Sequence, residues 1–121
     1  MGYNTDFEGH IDLGAILTHE QCGILHSLCH DDHRDNNDMP GIWCQWELQT
    51  SDESMCLEWD GIEKFYNYVE WMKYILDTFI IPWGYTANGV VTWIGEDRSD
   101  LGRIVVINNK LQTNKGYVVY E

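Results

Sequence analysis

Positive charge is scarce in this chain. Seven Lys and Arg stand against twenty Asp and Glu, a net charge of −13 over 121 residues. Nucleic acid and anionic membrane surfaces both need clustered Lys or Arg, so this balance argues against either as a partner. It favours a partner with a basic surface. Long apolar runs are missing too: no stretch reaches the roughly 18 residues of a membrane-spanning helix. The opening Met1-Gly2-Tyr3-Asn4-Thr5-Asp6 is polar, lacks a secretory hydrophobic region, and has Asp6 where a myristoylation signal needs Ser or Thr. A cytoplasmic location is therefore expected. Without a secretory setting, Cys22, Cys29, Cys44 and Cys56 are read as free thiols rather than as two disulfides. Catalytic signatures are scarce: H-E-x-x-H, a Gly-rich phosphate loop and a Ser-His-Asp or Cys-His arrangement are all absent. There are no repeats, linkers or low-complexity stretches, and 44% hydrophobic content suffices for one domain with its own core.

What is present is strong local patterning. Tyr3 to Leu13 reads as extended. T-H-E-Q from Thr18 to Gln21 is a capping box that starts a helix bearing Ile24, Leu25, Leu28 and Cys29 on one side. Asp31 to Asp38 is too polar to pack and reads as a loop ending at Pro40-Gly41. Ile42 to Gln49 alternates, with Cys44 and Trp46 facing one way and Trp43 and Gln45 the other. After a turn at Thr50-Ser51-Asp52-Glu53, Met55, Leu57 and Trp59 form the buried side of a returning strand. Asp60 reads as an N-cap, with Glu63 completing a capping box. The spacing of Ile62, Phe65, Val69, Met72, Leu76 and Phe79 predicts a helix from about Gly61 to Ile80, stopped by Pro82 and Gly84. Strands follow around Val91 and Trp93, from Ile104 to Ile107 before a tight turn at Asn108-Asn109, and from Tyr117 to Tyr120. The expected class is α+β, a two-layer sandwich of a mostly antiparallel sheet with two helices on one face, in the order β-α-β-β-α-β-β-β. Leu57, Phe65, Val69, Met72, Leu76, Phe79, Val91, Trp93, Ile104 and Val106 are the expected core.

Three constellations can carry chemistry. His19, Cys22, His26, His30 and His33 recur at helical steps and project into one stripe, the donor types that hold zinc. The alternative is a polar edge beside the core. Asp31, Asp32, Asp35 and Asp38 resemble a calcium loop loosely, without EF-hand spacing or its bidentate Glu. Glu96, Asp97 and Asp100 fall in a loop between strands, where they either hold a cation or fix a turn. Six Trp and seven Tyr add interface-forming side chains. Trp43 and Trp71 lie off the expected core faces.

The chain resembles a family of small uncharacterised proteins from bacteria, prophages and phages. The likeness rests on M-G-Y-N-T-x-F (Met1 to Phe7), G-x-W-C-Q-W (Gly41 to Trp46), W-D-G-x-E-K-x-Y (Trp59 to Tyr66) and W-x-G-E-D-x-x-D-x-G-x-I (Trp93 to Ile104). Cys22 to Met39 carries no shared pattern. The resemblance implies a mobile-element accessory protein made in the host cytoplasm, and it implies no activity. Three functions compete. One is a stoichiometric inhibitor of a host defence protein with a basic surface. The second is a binding module for a small molecule or nucleotide signal, with Lys64, Arg98 and Arg103 on phosphates. The third is a zinc-binding protein or metal-dependent enzyme using the His-rich helix. The working surface is expected where the second helix begins beside the G-E-D loop, around Asp60, Lys64, Glu96, Asp97 and Arg98, with Trp43, Trp71 and Arg103 as further binding residues.

Overall fold

Alternation along the strands decides the architecture. In the computed structural model, which describes residues 2–50 and 53–117, six strands form one antiparallel sheet in the order β2-β3-β1-β4-β5-β6. They are β1 (Thr5–Asp12), β2 (Trp46–Thr50), β3 (Met55–Trp59), β4 (Asn88–Gly95), β5 (Leu101–Ile107) and β6 (Lys110–Lys115), with α1 (His19–His30) after β1 and α2 (Tyr68–Ile75) after β3. The class and chain order are those expected, α+β with β-α-β-β-α-β-β-β.

The register places Ile11 against Leu57, Leu48 against Leu57, and Val91 against Ile104, so these apolar side chains share one face. Leu25 and Leu28 of α1 and Trp71, Met72 and Ile75 of α2 join the same buried cluster, which puts both helices on that side. Each fully buried side chain of this size contributes roughly 1.5–3 kcal/mol. The opposite face carries Asp6, Glu8, His10, Cys56, Glu58, Thr92 and Arg103, and is turned to solvent.

The first helix begins as its capping box dictates: Thr18 Oγ1 accepts from the Gln21 amide at 3.1 Å, and Gln21 Oε1 accepts from the Thr18 amide at 3.0 Å. The second departs from expectation at both ends. It starts at Tyr68, not Gly61, and its N-cap is Asn67 without a side-chain bond. Asp60 uses its carboxylate on the Ile62 amide (2.9 Å), which closes a tight turn instead of opening a helix. Gly61, Lys64 and Asn67 then adopt positive φ values of 83°, 65° and 57°, which no α-helix tolerates. Phe65 still reaches the core, from a loop.

At its other end α2 runs into a π-helical turn, Leu76–Ile80, where the Ile81 amide donates to the Leu76 carbonyl. A five-residue step brings Ile75 and Ile80 to the same buried side. Phe79 is consequently only half-buried; Val69, in the first turn of α2, is half-buried too, while the rest of the expected core is buried as read. Among the described residues the last strand is Lys110–Lys115, which was not expected; Val118, Val119 and Tyr120 of the strand expected from Tyr117 to Tyr120 lie outside the described residues, as do Ser51 and Asp52 of the β2–β3 turn. The four cysteines are unpaired. Cys44 joins the core cluster and Cys56 stands on the far side of the sheet, so the opposed faces read from alternation hold.

Candidate functional site

Two irregular segments flank the sheet at the end where α2 begins: 41–45, leading into β2, and 60–67, leading out of β3. Neither pairs as a strand or helix, and between them lies a groove of about 650 Å³. Gln45 ties the walls together. Its side chain donates to the Glu63 carbonyl (3.3 Å) and accepts from Trp59 Nε1 (3.4 Å), which explains why a glutamine is buried here. Trp59 Nε1 also donates to the Ile62 carbonyl at 3.0 Å. Asn67 and the Trp71 indole crowd Gly41 so closely that a Cβ there would sit 3.0 Å from the amide nitrogen and 3.1 Å from Nε1. Only glycine fits that wall without displacement.

The rim is apolar and exposed. Ile42, Trp43, Ile62 and Tyr66 keep 45%, 46%, 62% and 50% of their surface in solvent, all around this one groove. His30, Asp60, Glu63 and Lys64 supply its polar groups. Burial pushes the Asp60 carboxyl above the usual carboxylate range, against the Ile62 amide and His30, which hold it down. Burial likewise drives the Cys44 thiol up to about 12 and Cys29 to about 11, leaving both protonated at neutral pH.

The N-terminal residues connect this groove to the G-E-D loop. The Tyr3 amide donates to Tyr66 Oη (3.0 Å), and the Tyr3 hydroxyl donates to Asp100 Oδ2 (2.9 Å) while accepting from the Asp97 amide (3.1 Å). Thus Lys64 and Tyr66 on one side meet Glu96, Asp97 and Asp100 on the other across Gly2 to Asn4.

Within the loop, however, the carboxylates are engaged internally. Glu96 accepts from the Asn4 amide at 2.6 Å, and Asp100 also accepts from Trp93 Nε1 at 3.2 Å. Asp97 takes the Ser99 amide (2.9 Å) and hydroxyl (2.7 Å), and those two bonds hold its carboxyl below the usual range. The loop is built as a clasp.

The other expected site residues separate. Trp71 is fully buried, its ring tilted by 50° against His33, and is a core residue rather than a binding one. Arg103 stands on the open sheet face opposite Thr92, and Arg98 lies exposed in the clasp, so of the three basic residues expected to hold phosphates only Lys64 lines the groove.

Among the described residues, the His stripe brings no three of its donor atoms together. At about 1.5 Å per residue, a helix from His19 to His30 is far too long for one ion to bridge. Only the His26 and His30 rings adjoin, at 4.2 Å. Cys22 turns its thiol to the Leu17 carbonyl and the Met55 sulfur, and His33 bonds the Leu28 carbonyl at 2.9 Å. The aspartates of 31–38 gather no trio of donors either, and Asp32 pairs with Arg34 at 2.8 Å. Among the described residues, one group of three His, Cys, Asp or Glu donors brings its ligand atoms within 4.8 Å of one another: His10, Cys56 and Glu58.

Sequence reading missed Ile42, Ile62 and Tyr66 as groove residues because strand alternation and the helical stripe assigned the first two to the core. Of the residues expected to bind, Trp43, Asp60 and Lys64 do line the groove. Comparison with protein-family models, with characterised proteins and with solved structures returns no match to this chain.

Proposed function

We propose that this chain is a stoichiometric binding protein, an accessory factor of phage or mobile-element type that inhibits a host protein. Its groove between 41–45 and 60–67 receives an apolar side chain of the partner flanked by basic residues. The observation that carries this reading is the clustering of Ile42, Trp43, Ile62 and Tyr66, large and exposed, around a single concavity. Exposed Trp and Tyr in a pocket are the usual energetic centres of protein interfaces. Asp60 and Glu63 beside them, on a chain of net charge −13, suit a basic neighbour and disfavour an acidic one. Walls held by Gln45 and Trp59 bonds supply a surface that needs little ordering on binding.

A second reading has its own support. A 650 Å³ groove lies within the ~300–1,000 Å³ range of small-molecule sites. One experiment separates them. The purified chain is examined by native and denaturing mass spectrometry. A partner recovered from host extract is then purified, and its complex is reconstituted with wild type, Trp43→Ala, Ile62→Ala and Arg103→Ala. The protein-binding reading expects a defined-stoichiometry complex, weakened at least about tenfold by either groove variant and unchanged by Arg103→Ala. A small molecule that leaves with Trp43→Ala supports the second reading. A protein complex indifferent to both groove variants places the interface elsewhere.

A further inference from the structure

The open face of the sheet carries a set of side chains that neither the groove nor the clasp uses. β1 and β3 pair with Asp12 opposite Cys56 and Ile11 opposite Leu57. Continuing this antiparallel register sets His10 across from Glu58. Side chains alternate, so His10 and Asp12 project to the same side as Cys56 and Glu58, away from the core. The imidazole, thiol and carboxylate ligand atoms of His10, Cys56 and Glu58 all fall within 4.8 Å of one another. Tetrahedral zinc with bonds of about 2.0–2.3 Å holds its ligands roughly 3.3–3.8 Å apart, a contraction that side-chain torsions alone can supply.

We propose that His10, Cys56 and Glu58 form a zinc site on the open face of the sheet, with a fourth coordination position left to solvent or to a donor from outside the chain. The donor set argues for the metal: thiolate and imidazole favour zinc over magnesium or calcium, which prefer oxygen ligands. Charge agrees, since one thiolate, one carboxylate and a neutral imidazole balance a dication. The surroundings agree as well. Asp12 lies directly opposite Cys56 on β1, so a second carboxylate stands beside that of Glu58. A cation at the site offsets the repulsion between these like charges. All three ligands sit on paired strands rather than on loops, which fixes their backbone positions before the ion arrives. Binding exchanges a proton for the metal: Cys56–SH loses H⁺ to solvent as the sulfur–zinc bond forms, and no electron is transferred.

The test uses the full chain, stripped with chelator and titrated with Co²⁺ alone, then with Zn²⁺ as competitor. One Co²⁺ per chain should bind with a thiolate-to-cobalt charge-transfer band, and Zn²⁺ should displace it. Zn²⁺ added directly should release about one proton from the thiol at neutral pH. Cys56→Ser should abolish the band. His10→Asn and Glu58→Gln should each weaken binding at least about tenfold. These positions face solvent and keep their size, so circular dichroism should be unchanged. Cys22→Ser and the His26→Ala, His30→Ala double variant should leave the band intact. No charge-transfer band, or one that survives Cys56→Ser, overturns the proposal. So does loss of the band with Cys22→Ser or with the α1 double variant.

Discussion

Met72 sits in the middle of α2 with none of its surface in solvent, packed where both helices meet the sheet. Truncation to alanine removes that packing and leaves a cavity, so Met72→Ala should lower unfolding free energy by about 2–5 kcal/mol in a denaturant titration. The cysteines divide by environment. Cys29 and Cys44 are buried and held protonated, whereas Cys22 and Cys56 are half-exposed. Native protein should therefore react with a thiol reagent at Cys22 and Cys56 well before Cys29 and Cys44, and denatured, unreduced protein should show four reactive groups. Asp60 provides a pH handle. Its folded carboxyl is raised by burial, so the folded state binds that proton more tightly than the unfolded chain. Ionised Asp60 thus costs stability above its folded pKa, and the cost fades as pH falls through it. Asp60→Asn keeps an acceptor for the Ile62 amide without the charge. It should melt at the same or a higher temperature at neutral pH, with the difference closing in acid.

At the scale of elements, β1 holds the fold together because it pairs on both sides, with β3 and with β4. Gly9 in its middle has φ 108°, and a Cβ there would run into the Val90 carbonyl of β4. Gly9→Ala combines backbone strain with that clash and should destabilise by at least about 1–3 kcal/mol, visible as a lower melting temperature. The clasp works at the same level: Tyr3, Trp93, Glu96 and Asp100 join the N-terminal segment to the β4–β5 loop. Of the two roles open to its carboxylates from sequence, holding a cation or fixing a turn, their hydrogen bonds match the second. α2 shows how an element's face is set by more than its period. The π turn moves Ile80 inward and leaves Phe79 half-covered, a shift that counting by threes and fours does not register.

For the whole molecule, charge acts at longer range than the groove does. Net −13 extends an attractive field toward a basic partner, while the groove itself is largely apolar. Association of the proposed partner should slow several-fold as ionic strength rises from low to physiological, through the association rate, with the dissociation rate nearly constant. Surface plasmon resonance across a salt series measures both; a dissociation rate that carries most of the salt dependence would mean that buried ion pairs, not long-range steering, hold the complex. No helix among the described residues is long and apolar enough to cross a membrane.

The amino-acid sequence by itself determined the class and order of elements, because alternation in Trp46, Leu48, Leu57, Val91, Trp93 and Ile104 and the capping box at Thr18 are local signals that the fold obeys. It also marked Trp43, Asp60 and Lys64, polar or aromatic residues next to pattern breaks, which now line one groove. Tertiary structure decided the rest. Residues 61–67 fit a helical period, yet left-handed Gly61, Lys64 and Asn67 keep them in a loop, because Phe65 and the Trp59–Ile62 bond anchor that segment to the core. Four donors of the His stripe are strung along the first helix, and the fifth, His33, lies in the loop beyond its end. His10 lies more than forty residues before Cys56 and Glu58 in the chain, and strand pairing sets it beside them. Periodicity records which way a side chain points. Only the pairing of strands brings together donors that are distant along the chain.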